Sequence, residues 1–530
     1  MPTDCITYQE SGYFSKIIID YLNQNSKLSS FYNHFPTVDN FEKQIEEKST
    51  NFSFENRKIL VTELENQYKN VTISDTTSKN IQSLKETNTF TITTGHQLNL
   101  FTGPLYFLYK IISTVNLTKE LKEKYPKFNF VPVYWMATED HDFEEINYFN
   151  FRSKKIKWNR ESAGPVGRFS TNGLKDVMSV FESELGIGEN ANYLKNCFKN
   201  AYLENNNLAS ATRFLANELF KNEGLVIVDG DSKELKTLFS PYINQELLHK
   251  SSFKKVSQEN EKLGIDYAIQ VNPREINLFY IEDNLRERII FENGKYKINN
   301  TKIEFTENEI LSEVDKNPEK FSPNVILRPL YQEVILPNLC YIGGGGELAY
   351  WFQLKSNFDL NKVTFPIILL RNSVVLATKK QVEKADKLNL SWSNLFMNQQ
   401  ELFVSKTKEF SKLEIDFSEQ KVFLKQQFVK LEAISNNTDK SFLGAVKAQE
   451  VKQLKGLDNL EKRLLKAEKR VYTDTLNRIF ELQDQLFPKQ GLQERNANFS
   501  EFYLEFGAEF IAKIQESLQP LSQNFTVVNL

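Results

Sequence analysis

The sequence predicts an α/β protein in which a parallel-sheet core with inserted connecting elements carries a long antiparallel helical hairpin. Three observations lead to this fold class. One apolar run ends abruptly at Gly95 and another ends at Thr138, and a helical pattern lies between them, as is typical of a βαβ unit. After about residue 374, glycine and proline nearly vanish and apolar residues repeat at heptad spacing, which predicts paired helices.

Length and composition restrict the class of protein. The chain has 530 residues, enough for about three or four domains, and its 40% hydrophobic and 13% aromatic content supports a sizeable core. The net charge of −3 lacks the basic bias of a generic nucleic-acid or membrane-surface binder. The three cysteines lie far apart, which disfavours a disulfide framework or a zinc cluster. We expect a cytoplasmic protein, because the sequence has no leader pattern and no run of about 18 apolar residues.

Shifts in composition divide the chain into four segments. The segments are 1–88, a helical part that packs on the core; 89–373, the core, with insertions at about 150–220 and 265–310; 374–487, the coiled-coil hairpin; and 488–530, a return to the core.

The first core strand leads into a polar turn. Phe90, Ile92 and the threonines between them favour a strand, which Gly95 ends, and His96, Gln97 and Asn99 follow at once. Gly103 and Pro104 mark a second turn, and a helix is predicted from there to Lys124. Ligands of open α/β sheets lie beyond the carboxyl ends of the strands, so this turn is a candidate phosphate-binding element. A turn glycine with a buried structural histidine is the alternative, with about equal weight.

The second core strand ends in four ionisable side chains. Phe130 to Trp135 is suited to a strand buried on both faces, and Glu139, Asp140, His141 and Asp142 follow it. Alternation along the chain predicts that Glu139 and His141 point one way and the two aspartates the other. These groups suit a general base or a Mg²⁺ site, whereas zinc lacks a third nitrogen or sulfur ligand nearby. An acidic surface loop is the alternative.

Two further apolar runs extend the predicted sheet. Leu225 to Asp231 predicts a third parallel strand with Asp229 at its carboxyl end, and Pro366 to Leu370 predicts another. Between them, residues 265–306 alternate polar and apolar residues around Asn293-Gly294, which predicts an inserted β element.

A second polar stretch, Ser322 to Lys355, contains a run of four glycines. No Lys-Ser/Thr follows the glycines, so this is not a Walker A loop, but glycines allow a ligand to approach the backbone closely. Arg328 is suited to clamp a carboxylate or phosphate through two hydrogen bonds. A flexible loop is the alternative. The candidate binding residues of this stretch are Glu333, Gly344, Gly345, Gly346, Glu347, Tyr350 and Gln353.

The hairpin is predicted from two heptad seams. Phe417, Leu424 and Leu431 form the first; the second consists of Leu443, Val446, Leu457, Leu460, Leu464, Ala467 and Val471. A turn is predicted at 436–439 between them. We expect the hairpin to form a homodimer, and an arm that binds another partner is the alternative.

Five stretches give the sequence a specific resemblance to a known family. They are TTGHQLNLFTGPLY, VPVYWMATEDHDFEEIN, SPNVILRPLYQEVILP, YIGGGGELAYWFQLK and GLQER. In this order they resemble the cysteine ligase of bacillithiol biosynthesis, the BshC family, over nearly the whole chain. The family usually has glutamine where this chain has His96, and proline where it has Gly345.

The resemblance implies a fold and an activity. It implies a Rossmann-like core with a coiled-coil dimerisation domain, and a ligase that joins L-cysteine through its carboxyl group to the amine of glucosaminyl-malate. Amide formation from a free carboxylate requires activation, so we expect ATP as donor, through an acyl-adenylate or an acyl-phosphate, with Mg²⁺ possible. A nucleotidyl transferase acting on another small molecule and a scaffold without catalysis remain as alternatives.

The hypothesis assigns roles to named residues. Gly95 and the following amides hold phosphate, Glu139, Asp140 or His141 accepts the amine proton, Arg328 holds a carboxylate, and Glu347 holds an amine. The candidate catalytic residues are His96, Gln97, Glu139, Asp140, His141, Asp142 and Arg328, and the candidate binding residues outside the glycine-rich stretch are Gly95, Asn99 and Gly103. No metal ligands are assigned.

Overall fold

The computed structural model describes residues 4–435, 437–438 and 440–530, and the predicted α/β fold class is confirmed. A five-stranded parallel sheet forms the centre of the protein, and a helical hairpin forms most of the region from 418 to 471.

The strands of the described residues are short, none longer than eight residues. They are β1 (Asp4–Thr7), β2 (Thr89–His96), β3 (Asn129–Met136), β4 (Tyr148–Phe151), β5 (Lys154–Lys157), β6 (Val226–Asp229), β7 (Leu278–Glu282), β8 (Leu285–Glu292), β9 (Lys295–Ile298), β10 (Glu304–Phe305), β11 (Phe321–Pro323), β12 (Asn338–Gly343), β13 (Ile367–Leu370), β14 (Val374–Ala377) and β15 (Asn524–Asn529).

The helices of the described residues range from single turns to one of 32 residues. They are α1 (Tyr8–Ser11), α2 (Lys16–Leu22), α3 (Asn40–Asn51), α4 (Phe54–Gln67), α5 (Asp75–Ser83), α6 (Tyr106–Lys124), α7 (Phe143–Ile146), α8 (Leu174–Leu185), α9 (Glu189–Tyr202), α10 (Leu208–Phe220), α11 (Lys233–His249), α12 (Ser251–Leu263), α13 (Glu307–Lys316), α14 (Arg328–Ile335), α15 (Gly345–Trp351), α16 (Lys355–Asn361), α17 (Lys379–Lys387), α18 (Trp392–Phe396), α19 (Gln399–Phe410), α20 (Ser418–Ser435), α21 (Lys440–Val471), α22 (Thr473–Leu486), α23 (Gln493–Asn496), α24 (Phe499–Phe506) and α25 (Glu509–Ser517).

The parallel sheet has the strand order β13-β12-β2-β3-β6. The chain starts in the middle at β2, moves to one side through β3 and β6, and then crosses to the other side through β12 and β13. The order therefore reverses between β2 and β12. In open α/β sheets ligands bind beyond the carboxyl ends of the strands at such a switch point. The two strands that flank it end at His96, one residue beyond the predicted end at Gly95, and at Gly343.

Both faces of the sheet are covered, so its strands are buried almost throughout. Every residue of β2 is buried, and α6 packs against β2 and β3. Phe90 and Ile92 belong to one apolar cluster, whereas Val133 and Tyr134 of β3 belong to another. Cys340 is buried in the first cluster, as expected for a small apolar side chain.

The inserted elements lie where the sequence predicts them. Strands β7 to β11 form an antiparallel sheet in the order β10-β9-β8-β7-β11, and Asn293 and Gly294, both with positive φ, turn the chain between β8 and β9. Strands β4 and β5 form a hairpin after the acidic turn of β3.

A three-stranded sheet, β1-β15-β14, was not predicted. The N-terminal segment begins with a strand rather than a helix, and Val374–Ala377, assigned to the hairpin from sequence, is a strand of this sheet. The helices that pair to form the hairpin are α20 and α21. Lys421 Nζ on α20 lies 2.7 Å from a carboxylate oxygen of Asp458 and 2.7 Å from one of Glu461, both on α21. Of the predicted turn at 436–439, Asn437 and Thr438 lie in a turn and a bend after α20, and Asn436 and Asp439 lie outside the described residues.

The predicted seam of the hairpin is only partly covered. Val446 is buried, but Leu460 and Val471 are more than half exposed. Among the residues that the structure describes, no helix is long and apolar enough to cross a membrane.

Candidate functional site

The turn after β2 approaches β12 closely at the switch point. A β-carbon at Gly95 would lie 2.9 Å from the Tyr341 hydroxyl, so only glycine fits at this position without moving that tyrosine. The carbonyl oxygen of Gly95 accepts a hydrogen bond from Lys110 Nζ at 2.6 Å. Lys110 lies on α6, the helix that follows the turn, and is buried.

A network of short polar contacts ties the two strand ends together around Glu347. Its Oε2 lies 2.5 Å from Lys110 Nζ and accepts a hydrogen bond from the Gly344 amide at 2.8 Å. Its Oε1 accepts a bond from the Tyr341 hydroxyl at 2.6 Å. Burial opposes the charge, but Lys110 and the Gly344 amide hold the pKa of Glu347 below its ordinary value. Glu347 is therefore ionised, and Oε1 retains capacity for one more donor.

Arg328 is a half-buried cation at the same crevice. Its guanidinium carbon lies 5.6 Å from the Tyr341 ring centre and 6.0 Å from that of Trp135. Nη1 donates to Gln332 Oε1 at 3.1 Å and Nη2 to the Tyr350 hydroxyl at 3.4 Å. Among the described residues no carboxylate lies within ion-pair distance of Arg328. A buried charge without a counter-ion is costly, so this arrangement favours an anionic ligand.

Arg371 adds a second arginine beyond the end of β13. Its Nη2 donates to Glu494 at 2.7 Å, and its guanidinium lies 5.0 Å from the Tyr106 ring centre. Its Nε is buried without a hydrogen-bond partner among the described residues. Lys110, Arg328 and Arg371 outnumber Glu347 and Glu494, so the crevice carries a positive excess.

His96 lies beside this cluster as a neutral, buried ring. It is 7% exposed and packs against the rings of Tyr106 and Phe107. Burial, and then the charge of Lys110, lowers the pKa of His96 to about 3. Its Nε2 has no hydrogen-bond partner among the residues described. A neutral imidazole is a poor general acid at neutral pH, so His96 is suited to a hydrogen bond with a ligand rather than to proton donation.

Replacing His96 with glutamine is expected to reduce the loss of stability in acid. Because the pKa of His96 falls from 6.5 to about 3 on folding, its contribution is full above pH 6.5 and declines as the pH falls toward 3. At 1.36 kcal/mol per pH unit, this contribution decreases by about 2 kcal/mol between pH 7.5 and pH 5. Urea unfolding of both proteins at these two pH values measures it. An equal loss of stability in both proteins would contradict the assignment.

The acidic turn after β3 divides into two parts, against the predicted alternation. The ligand atoms of Asp140, His141 and Asp142 lie within 4.8 Å of one another, whereas Glu139 points to Lys236. The alternation fails because the strand ends at Met136 and a turn follows. Asp140 accepts a hydrogen bond from Gln97 Nε2 at 2.9 Å, which joins this turn to the β2 turn.

The guanidinium of Arg286 lies beside Asp140, His141 and Asp142, where a metal cation would otherwise bind. Its Nη1 donates to His141 Nδ1 at 2.6 Å, and its charge acts on Asp140 and Asp142. Burial opposes ionisation of Asp140, but hydrogen bonds from His141 and Gln97 lower its pKa well below the ordinary value. The donor set therefore does not fit Mg²⁺ well, and Asp140 is a weak base.

Glu139 lies in a chain of ion pairs at the ends of β3 and β6. Lys236, which is buried, contacts both Glu139 and Asp231, and Arg168 binds Asp231 through two hydrogen bonds of 2.8 and 2.9 Å. Burial raises the pKa of Glu139 above its ordinary value, although Lys236 opposes the shift. The pKa of Glu139 is thus raised where that of Asp140 is lowered, so Glu139 is the stronger base of these two carboxylates.

Several predicted binding residues are engaged elsewhere. Glu333 accepts hydrogen bonds from the side chains of buried Lys48, Gln332 and Asn338. Gln353 Oε1 accepts hydrogen bonds from the backbone amides of Gln270 and Val271. Both side chains form their hydrogen bonds with other parts of the protein and not with groups of the crevice. We therefore interpret both as structural residues.

The remaining turn residues support the backbone. Gly103 has φ of 63°, and a β-carbon there would lie 2.6 Å from Asn99, whose side chain donates to the Glu145 carbonyl. Gly346 faces open space, whereas Gly345 packs near Ile18.

Sequence reasoning missed Lys110, Arg371, Glu494, Lys236 and Arg286. Lys110 had a local signal, a single charged residue in the first half of an otherwise apolar helix. The others acquire their roles only from partners more than 90 residues away or from a turn whose direction the sequence does not encode.

Comparison with known proteins gives consistent matches. The family model described as bacillithiol biosynthesis BshC, N-terminal Rossmann-like domain, matches residues 1–372, and the C-terminal coiled-coil domain of the same family matches residues 374–530. Relatives carry the name "Putative cysteine ligase BshC". That of Flavobacterium johnsoniae is 63% identical over all of both chains, and that of Christiangramia forsetii 56% identical over 100% of this chain and 99% of its own. A Bacillus anthracis relative is 29% identical over 96% of each chain.

Proposed function

Because the chain belongs to the BshC family of bacillithiol biosynthesis, we propose that it is a ligase that joins the carboxyl group of L-cysteine to the amine of glucosaminyl-malate. The observation that carries the proposal is Arg328, a half-buried guanidinium without a carboxylate at ion-pair distance among the described residues, at the switch point of the sheet.

We assign the crevice to the cysteine substrate. Arg328 holds the carboxylate, and the free lone pair of Glu347 Oε1 accepts a hydrogen bond from the ammonium group. Lys110 already stabilises the charged form of Glu347. Little further free energy is therefore needed for Glu347 to orient the ammonium group of cysteine. This pair of opposite charges across one crevice is the complement of a free α-amino acid.

ATP is the proposed second substrate of the crevice. When bound, it supplies the phosphoryl or adenylyl group that turns the carboxylate oxygen into a leaving group. The donor set fits an anion, because Arg371 Nε is buried without a hydrogen-bond partner among the described residues and the backbone at Gly346 faces open space. The fit with Mg²⁺ at Asp140 and Asp142 is poor, since Arg286 occupies that position.

Glu139 is the residue that we assign to accept the proton of the attacking amine. Its raised pKa brings it nearer to neutral pH than Asp140, whose pKa is lowered. Deprotonation leaves the amine lone pair free to attack the activated carbonyl carbon. Lys236 beside Glu139 opposes this rise in the pKa and favours the ionised carboxylate.

The experiment that tests the proposal is product formation by the purified full chain. L-cysteine, glucosaminyl-malate and ATP are supplied together, and bacillithiol is measured by mass spectrometry together with AMP and ADP. We expect bacillithiol, and the nucleotide product identifies the activation chemistry. Pyrophosphate release with another acceptor and none with glucosaminyl-malate would favour the nucleotidyl transferase alternative. Normal thiol levels in cells that carry only an Arg328→Gln, Glu139→Gln variant would favour the scaffold.

We also propose that the hairpin forms a homodimer. Large apolar side chains of α20 and α21 remain exposed in the single chain, among them Phe423 and Val429, each 64% exposed, and Ile434 at 58%. The Phe423→Lys, Val429→Lys variant is expected to sediment as a monomer while the wild type sediments as a dimer. Lys425→Glu, on the same helix, is the control and should remain dimeric. A monomeric wild type would contradict the proposal.

A further inference from the structure

A cavity of about 710 Å³ opens at the carboxyl ends of β3 and β6, beside the crevice and separate from it. Its volume lies within the range of about 300–1,000 Å³ typical of small-molecule sites. None of the candidate site residues found from sequence lines it. Its lining residues come from the ends of β3 and β6, the segment 160–170, the start of α10 and α11, and the turn between β7 and β8.

The lining is polar and carries charges of both signs. Asp229, Asp231, Asp283 and Glu319 supply carboxylates, and Thr138 and Asn207 supply neutral polar groups. Glu319 Oε2 is buried without a hydrogen-bond partner among the described residues, and its nearest cation, Lys233, is 3.7 Å away. Carboxylates with unused lone pairs accept hydrogen bonds from hydroxyl and ammonium groups.

Arg160 is the cation of this cavity that no carboxylate neutralises. Its Nη1 donates to the Ser170 carbonyl at 2.7 Å and its Nε to the Glu161 carbonyl at 3.0 Å. Arg168, in contrast, is bound by Asp231 and by Asp283. Arg160 therefore remains available to a carboxylate ligand, with Nη2 as a free donor among the contacts of the described residues.

An adenine ring does not fit the lining. The aromatic side chain of the cavity, Phe169, is covered by the Arg160 guanidinium at 4.4 Å from its ring centre, and Ala209 is the only other apolar side chain in the lining. A ligand with many hydroxyl groups matches the carboxylates and Asn207 better. The combination of a cation for carboxylates and carboxylates for hydroxyl and ammonium groups describes an amino sugar that carries an acid.

We propose that this cavity binds the acceptor of the reaction, an amino sugar with a carboxylate-bearing substituent, with Arg160 holding the carboxylate end. The inference rests on the proposed function, and it separates the acceptor from the cysteine carboxylate at Arg328. Thr138 lines the cavity and Glu139, the assigned base, is the next residue in the chain, so the proposal places the amine of the acceptor on the Glu139 side of the cavity. Lys236 links Glu139 to Asp231 of the cavity wall.

Calorimetric titration of the full chain with glucosaminyl-malate tests the site. Arg160→Gln is expected to raise the dissociation constant for glucosaminyl-malate at least tenfold. Asp283→Asn is expected to raise it at least threefold, and folding should be unaffected because Asp283 lies in an exposed turn. Arg288→Gln, an exposed arginine of the neighbouring sheet, should bind as the wild type does. Arg328→Gln should also keep the acceptor affinity while it loses product formation.

The outcomes separate this inference from the proposed function. If the wild type binds glucosaminyl-malate and neither Arg160→Gln nor Asp283→Asn weakens binding, the acceptor lies elsewhere and the inference is wrong. Loss of acceptor binding in Arg328→Gln alone would place the acceptor in the crevice and overturn it as well. If the wild type forms bacillithiol without measurable acceptor binding, the cavity assignment fails alone; absence of both product and binding refutes both.

Discussion

Replacement of Arg328 by glutamine is expected to lower bacillithiol formation at least 100-fold. The substitution keeps a polar side chain of similar volume, but it removes the positive charge that we assign to binding the carboxylate of cysteine. Loss of one well-placed electrostatic contact in a buried site typically costs about 10²–10³ in rate. The rate with purified protein, measured at saturating and at limiting cysteine, separates lost binding from lost transition-state stabilisation.

Two controls make the Arg328 result specific. The circular dichroism spectrum and the thermal midpoint of Arg328→Gln should stay close to those of the wild type, because the structure gives this arginine no ion pair among the described residues. Arg288→Gln changes an exposed side chain of the inserted sheet and should keep full activity. A folded Arg328→Gln protein with wild-type rate would refute the assignment of this crevice to the carboxylate.

The second large effect is expected at the buried pair of Arg371 and Glu494. The two side chains are 4% and 0% exposed, and Glu494 also accepts hydrogen bonds from the Ser373 hydroxyl and the Val374 amide. Glu494→Leu leaves the guanidinium buried without its counter-ion, which typically costs about 3–5 kcal/mol. We expect the urea midpoint to fall accordingly, and cysteine-dependent activity to fall with it, because Arg371 loses its fixed position.

A double variant distinguishes the ion pair from simple packing. Arg371→Met combined with Glu494→Leu removes both charges, and it should recover a large part of the lost stability but no activity. Glu55→Leu removes an exposed partner of Lys58 and should change stability by less than about 1 kcal/mol. If Glu494→Leu is as stable as Glu55→Leu, this pair does not anchor the C-terminal segment to the sheet.

The parallel core was predictable because its signals are local. Apolar runs such as Phe130–Trp135 end in polar turns, and a single helix, α6, separates β2 from β3, so this unit follows from short windows of sequence. The three-stranded sheet was not predictable in this way. Its strands, β1, β14 and β15, are four to six residues long and come from three distant parts of the chain.

The location of the candidate site could be predicted from the sequence. The contacts between its side chains could be predicted only in part. Gly95, Glu139 and Glu347 follow buried strands or begin the next helix, and the structure places all three at the carboxyl edge of one sheet. Which of the neighbouring polar residues face the crevice depends on contacts across the chain. Glu333 looked equivalent to Glu347 in sequence, but Lys48, 285 residues away, holds it in the interior.

A crystal structure of the full chain soaked with L-cysteine and glucosaminyl-malate tests the central claim most directly. We predict the cysteine carboxylate at about 3 Å from the Arg328 guanidinium, between the ends of β2 and β12. The sugar is expected in the cavity beyond β3 and β6, with its amine nearest Glu139. Density for cysteine away from this switch point, with the Arg328 guanidinium uncontacted, would contradict the account.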